Sequence, residues 1–371
     1  MTTFKLLVEA VLKITQSVSF EVTPLRQMSI RYWPKANAIR RQTRFRCGVL
    51  FVALWMTVAG DAFAQPTDSP ADTSGIQIQG GQTTPSDVYA RLEFLNRCLD
   101  RLMVAQQLPE TEPPYHGETK LGPLHVYQMV LACCNQVQQL SDNVGVLAIP
   151  TLSARPREYE PRDVLFLVDL MVDSVLRIAA KLNVNDLPAA GSTVAGKTPT
   201  DVFLLATDAF GKLHLLCGYD ELSTDDAFAE MVRVHADVKS ILQQADPECR
   251  YRVDVPVSDE ILEVSDIYKK CLDVRRLLNL HRVALGQPEV PLPKALPDDQ
   301  ISTYDVFVQT QIMIAELTFL KLQTKTVSST PLAIPVDRTK ASSDVYQEAS
   351  LIEYLLRQVR TGADTGFQAN Q

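Results

Sequence analysis

The chain has 371 residues, with 36 Lys+Arg against 44 Asp+Glu, 46% hydrophobic residues, 22 prolines and 15 glycines. That is enough apolar material for one or two sizeable cores. The acidic balance argues against nucleic acid or anionic lipid as a partner, because affinity for phosphate needs a basic footprint.

Residues 1–64 read as a targeting segment. A basic stretch (Arg31, Lys35, Arg40, Arg41, Arg44, Arg46) precedes an apolar run from Cys47 to Ala59, and Ala62-Phe63-Ala64 is a small-x-small cleavage site before Gln65. The run is short for a membrane span, so export to a Gram-negative periplasm with cleavage after Ala64 is expected. The stretch ahead of Met28 is long for a signal peptide, which leaves Met1 and Met28 as alternative starts. Cys47 stands at the front of the run, where a lipoprotein would not place it. This segment carries 9 basic and 3 acidic residues, so the remaining 307 hold 27 and 41, a net charge of −14. No later apolar run is long enough to span a bilayer. Residues 65–82, rich in Gln, Pro, Thr, Ser and Gly, form a flexible leader.

A repeated helix start begins at Thr84, with Pro85 next and Asp87 three positions on. The Thr hydroxyl can accept an early backbone N–H, and proline is tolerated at the first helical position. A first-turn carboxylate meets the positive end of the helix dipole. The layout recurs at Thr198-Pro199 with Asp201 and at Glu160-Pro161 with Asp163, and more weakly at Gly122-Pro123, Ser223, Ser302 and Ser342. An eighth copy, Ser265-Asp266-Ile267-Tyr268, belongs to a helix expected to begin nearer Ser258. Aligned on the proline position, the starts fall at 85, 123, 161, 199, 224, 264, 303 and 342. Downstream, apolar residues recur in steps of three and four (Val88, Leu92, Leu95, Leu99, Leu102 in the first copy), one stripe of an amphipathic helix.

The predicted class is therefore all-α: eight similar amphipathic helices joined by Pro-rich extended connections. The last four starts follow the first four at offsets of 139, 141, 142 and 143, so the chain divides into repeats 1–4 (83–218), repeats 5–8 (219–361) and a flexible tail (362–371), as a tandem duplication would give. The first helix is expected to run to about Leu108. Its connection holds Pro109, Pro113, Pro114 and Gly117; others hold Pro150 and Pro156, Pro188, Pro247 and Pro256, Pro288 to Pro297, and Pro331 and Pro335. About 14 extended residues reach ~46 Å, longer than a helix of ~24 residues at ~36 Å. Each strap can thus return along its helix, so the helices of one half are expected to run parallel. Only the link near Gly218 to Ser223 is short enough for an antiparallel hairpin, which would point the halves opposite ways. Val146, Leu147 and Ile149, like Leu332, Ala333 and Ile334, are apolar strap residues expected to dock between helices.

The chemistry searched for is mostly missing. Outside the leader stand Cys98, Cys133, Cys134, Cys217, Cys249 and Cys271, with no Cys-x-x-Cys pair and no haem-attachment motif. Cys133 and Cys271 fall on the apolar stripe, where thiols act as small hydrophobes. Cys249, in a connection, is the best candidate for a bridge, though connectivity does not follow from sequence. His116, His125, His214, His235 and His281 form no His-Glu-x-x-His motif. His125 replaces the usual Asp and is expected to be an exposed first-turn side chain; His281 is expected to pack at a helix end. There is no Gly-x-Ser-x-Gly elbow, Walker loop or Gly-x-Gly-x-x-Gly turn. Asp169 and Asp173 interrupt an apolar run one turn apart, either as a solvated stripe or as a buried acidic site. An aromatic recurs after the motif valine (Tyr89, Tyr127, Phe203, Phe228, Tyr268, Phe307, Tyr346), either as a core layer or as the wall of a ligand cleft.

No catalytic or metal-binding residues, cofactor or ligand-binding set are assigned. The expected function is an exported periplasmic helical-repeat protein with a non-catalytic interaction or scaffold role, its partner a protein or cell-envelope component. The alternative is a periplasmic small-ligand-binding or sensory module, and after it an enzyme acting on envelope polysaccharide.

Overall fold

The computed structural model describes residues 82–109, 120–192, 194–245, 261–332 and 339–359. Among them lie eight α-helices and no strand: α1 Pro85–Ala105, α2 Pro123–Val144, α3 Pro161–Lys181, α4 Pro199–Leu216, α5 Thr224–Ala245, α6 Val264–Ala284, α7 Thr303–Gln323 and α8 Ser342–Leu356. A single 3-10 turn, Asp298–Gln300, precedes α7. The leader and its cleavage site, His116, Cys249, Ala333, Ile334, Pro113, Pro114, Gly117, Pro247, Pro256, Pro335 and the tail lie outside the described residues.

All eight helices begin at the positions the repeat predicts, for a local reason. In seven, the third helical residue is an Asp whose carboxylate accepts the N–H of the residue capping the helix: Asp87, Asp163, Asp201, Asp226, Asp266, Asp305 and Asp344, at 2.7–2.9 Å. The eighth, α2, places His125 there, and its Nδ1 accepts from Gly122 N at 3.1 Å. This chemistry corrects one expectation: α6 starts at Val264 rather than near Ser258, since residues 261–263 are non-helical and Glu263 is the cap.

The ends are equally local. Left-handed residues follow α1 (Gln107), α2 (Gly145), α3 (Asn183), α4 (Gly218), α6 (Gly286) and α7 (Lys325). The next N–H then returns to a carbonyl in the last turn, as from Leu108 to Met103, Val146 to Ser141 and Thr326 to Lys321, each at 2.8–3.0 Å. This is the Schellman stop, and it ends α1 at Ala105, before the expected Leu108. Gly145, at φ +74°, occupies the left-handed conformation, which glycine adopts without the steric cost a Cβ brings.

Within each half the helices run parallel. The N–H just before α4, on Lys197, donates to Ser86 in the first turn of α1 at 3.1 Å, and Leu121 N donates to Thr200 at the start of α4 at 3.1 Å. At the far end, Lys212 of α4 pairs with Asp100 of α1 at 2.7 Å. The second half repeats this: Lys340 N donates to Asp225 of α5 at 2.6 Å, and Arg275 and Arg282 of α6 reach Gln309 and Glu316 of α7 in step. In the first half α1 and α2 each pack against both α3 and α4; in the second, α5 and α6 each pack against both α7 and α8. The two rings have one topology under the offsets that align the starts, and the equivalent contacts include Lys197 over the Tyr89 ring and Lys340 over the Phe228 ring, both at 4.1 Å. This is consistent with a duplicated four-helix unit.

Two apolar cores result, one centred in each half, and the first also takes in Val290, Phe307, Val308 and Ile312 of the second half. The straps contribute unevenly. Ile149, Ala154, Tyr159 and Val290 are buried, whereas Leu147 is 79% exposed and Leu332 41% exposed, so docking holds for Ile149 and not for those two leucines. The halves meet where α2 packs on α7. His125 near the start of α2 reaches Glu316 late in α7, while Gln128 reaches Gln311 earlier in it, so the two helices are antiparallel. The short 217–223 link between α4 and α5 produces that reversal.

Candidate functional site

The seam between the halves is where the chain concentrates buried charge. Helix α7 packs against α5 and α6 of its own half and α2 of the other, so it has no solvated face: Val306, Phe307, Val308, Ile312, Met313, Ile314 and Leu317 are buried around its circumference. Polar residues on such a helix must find partners inside. Glu316, 3% exposed, accepts from His125 Nε2 at 2.5 Å and from Arg282 at 2.9 Å. Because His125 Nδ1 already accepts from Gly122 N, these partners place the ring proton on Nε2, aimed at the carboxylate. Burial pushes the Glu316 carboxyl up, but the hydrogen bonds from His125 and Arg282 outweigh it and hold the group below the usual carboxylate range.

One turn earlier, Gln128 donates to Gln311 at 2.9 Å, Gln311 to Glu230 at 2.8 Å, and Arg233 to the same Glu230 oxygen at 2.6 Å while its Nε bonds the Pro331 carbonyl. One turn later, Lys321 pairs with Asp237 at 2.5 Å, both 1% exposed, and Thr330 donates to the other Asp237 oxygen at 2.7 Å. Burial pushes Asp237 up and Lys321 down, since a dry environment penalises both charges. The strap carrying Thr330 also crosses the seam, where its N–H bonds the Ala154 carbonyl at 3.2 Å. These groups bridge helices and straps, and their chemistry is that of a positioning network.

The residues singled out in the sequence fall elsewhere. Asp169 is half-exposed and takes Arg91 at 2.7 Å, and Asp173 is exposed, so the pair is a solvated stripe. The aromatic register divides. Tyr127, Phe203, Tyr268 and Phe307 are buried, with Tyr127 on Tyr159 and Phe307 on Phe210 at 4.0 and 4.5 Å between centroids. Tyr89, Phe228 and Tyr346 lie nearer the surface with a lysine over each ring, that on Tyr346 being Lys270 at 5.1 Å. The rings serve as core and cation contacts.

Cys98, Cys133, Cys134, Cys217 and Cys271 are free thiols. Burial pushes Cys98 up to about 11, Cys134, Cys217 and Cys271 up to about 12, and Cys133 well above its ordinary value, which suppresses the reactive thiolate. His125 corrects an expectation: it is 5% exposed because α7 covers the face it occupies. His281 does pack at a helix end, against the Leu356 carbonyl at 3.0 Å, and His235 pairs with Glu348 at 2.5 Å. Among the described residues no group of three or more His, Cys, Asp or Glu is placed to hold a metal ion, and no helix is long and apolar enough to cross a membrane.

Sequence reasoning missed Glu230, Arg233, Asp237, Glu316 and Lys321. The available signal was the apolar run of α7, which continues around the helix and so announces burial on every side. Compared with protein-family models, curated proteins and solved structures, the chain matches none.

Proposed function

We propose that the chain is an exported periplasmic helical-repeat protein with a non-catalytic interaction or scaffold role in the cell envelope, its partner a protein or envelope component. The observation that carries this reading is the use made of chemistry-bearing side chains. Buried Glu316 is held by His125 and Arg282, Asp237 and Lys321 hold each other, and the described thiols are held in their inert form. The parallel bundles, by contrast, present long helix faces, the form in which repeat proteins offer binding surface. The leader supplies the argument for export. Cross-linking in intact cells followed by capture from periplasmic extract tests the role: one dominant envelope partner supports it, and turnover of an envelope polysaccharide by purified protein overturns it. N-terminal mass spectrometry tests export, with Gln65 as the expected first residue and a full-length membrane-retained chain as the contrary result.

A small-ligand reading has one observation behind it, an open groove of about 410 Å³ lined by Arg276, Asn279, Leu280, Glu289 and Leu292. Asn279 is already bonded in both directions to Val290, at 2.8 and 2.9 Å, which leaves the groove few free polar groups. Native mass spectrometry of the purified protein tests it: a retained small molecule favours this reading.

A further inference from the structure

The seam joins unlike parts of the repeat. Helix α2 is the second of its half and α7 the third of the other, and the reciprocal pair, α3 with α6, is not in substantial contact. Such a contact between two copies of one unit is heterologous. It uses one face of each and leaves the complementary face of each uncovered. Among the described residues, the faces left uncovered are the outer side of α3 around Phe166 and Asp169, equivalent to the part of the α7 face around Val308 and Gln311 that α2 covers, and the outer side of α6, equivalent to that α2 face. Ser174, the equivalent of Glu316, is buried. Both keep large apolar groups in water: Phe166 on α3 is 61% exposed, and Leu280 on α6 is 63% exposed. Leu165 and Leu170 flank Phe166 half-buried, at positions whose α7 counterparts, Phe307 and Ile312, are buried in the first core.

We propose that a second copy of this chain lays its α6 on α3, repeating the α2–α7 seam between molecules, so that copies add head to tail. The antiparallel register set by His125–Glu316 and Gln128–Gln311 brings Lys269 of the incoming copy to Asp169, and Arg276 to Asp163. Asp266 falls between Asp173 and Arg177, and Phe166 meets Leu277 and the stem of Arg276. At the flank, where Tyr304 bonds the Thr207 carbonyl of α4 within the chain, Arg162 reaches the equivalent part of α8, near Glu353. Lys269–Asp298 and Arg276–Asp273 are solvent-exposed and exchange at little cost, and Asp169 and Asp163, which already hold Arg91 and Arg157, each take a second cation. The proposal rests on the repeat geometry, independently of any envelope role.

The test is the mass of the full chain in solution, read by light scattering over a wide concentration range and expressed as multiples of the monomer. Wild type is expected to grow past twice the monomer as concentration rises. Phe166→Glu removes only the α3 face and Leu280→Glu only the α6 face, so each alone stays monomeric. An equimolar mixture of the two gives a complex of two chains, because each retains the face its partner needs. Asp169→Lys weakens growth and Asp169→Lys with Lys269→Asp restores it, a rescue that misfolding cannot produce. Circular dichroism confirms that each variant is helical. A wild type that remains monomeric, or a dimer that forms in either single variant, overturns the proposal.

Discussion

The two halves share starts, stops, ring topology and even individual cation–ring contacts, yet they bury different things. The first packs thiols and aliphatics: Cys98, Cys133 and Cys134 sit among leucines and valines, all at 2% exposure or less. The second buries Glu230, Arg233, Asp237, Arg275, Glu316 and Lys321, none above 7%. One cause lies in one helix of each half. Helix α3 keeps an open face, so Asp169 is solvated, whereas its equivalent on α7, Gln311, has that face closed by α2 and is bonded inside to Gln128 and Glu230. The rest is sequence alone: Ser174 and Ala179, the equivalents of Glu316 and Lys321, are buried too, and differ only in what they carry.

The contrast can be broken most severely at Lys321. Removing one partner of a buried ion pair strands the other charge, so Lys321→Ala should cost about 3–5 kcal/mol by urea unfolding, whereas Lys321→Met with Asp237→Leu should be near neutral. Equal losses in the single and double variants would contradict the pairing.

His125 is next. His125→Asp restores the acidic cap seen in the other seven helices but sets a second carboxylate before Glu316, at an expected cost of about 1–3 kcal/mol; a stabilised variant would mean the cap outweighs the seam. The same carboxyl carries a pH signature. Its folded value is depressed, so its contribution is present above the unfolded value of about 4.3 and is lost as pH falls through the folded one. Glu316→Gln should therefore flatten the acid limb of the stability curve below about pH 4. The smallest effect is also the most symmetric. Thr84→Ala and Ser223→Ala remove equivalent caps, which accept from Asp87 N and Asp226 N at 3.4 and 3.3 Å, and each should cost about 1 kcal/mol. Markedly unequal losses would argue against equivalent roles in the two halves.

The helix starts were legible in the sequence because their cause is local: a cap, a proline and an Asp three residues on, repeated at fixed offsets. The parallel course was legible too, since connection length and proline content decide whether a chain turns back or returns. What escaped were facts set by distant contacts. His125 looks like an exposed first-turn residue until α7 is laid over it, and Lys321 looks like a polar-face lysine until Asp237, 84 positions away, is found beneath it. The start near Ser258 was misplaced for a different reason. Ser258, Asp259 and Glu260 imitate a cap, and only the repeat offset, or the Glu263–Asp266 bond itself, puts the boundary at Val264.

The most direct test of the architecture is a pair of spin-label distances in the first half. Labels at Lys120 and Arg162 stand at the starts of the neighbouring helices α2 and α3, and labels at Lys120 and Lys181 stand at the start of one and the end of the other. Neighbouring helix axes lie about 8–10 Å apart, and a 21-residue helix is about 32 Å long. Parallel helices joined by returning straps predict that the Lys120–Arg162 distance is much the shorter of the two. A shorter Lys120–Lys181 distance would mean that the helices alternate in direction, and the bundle described above would be wrong.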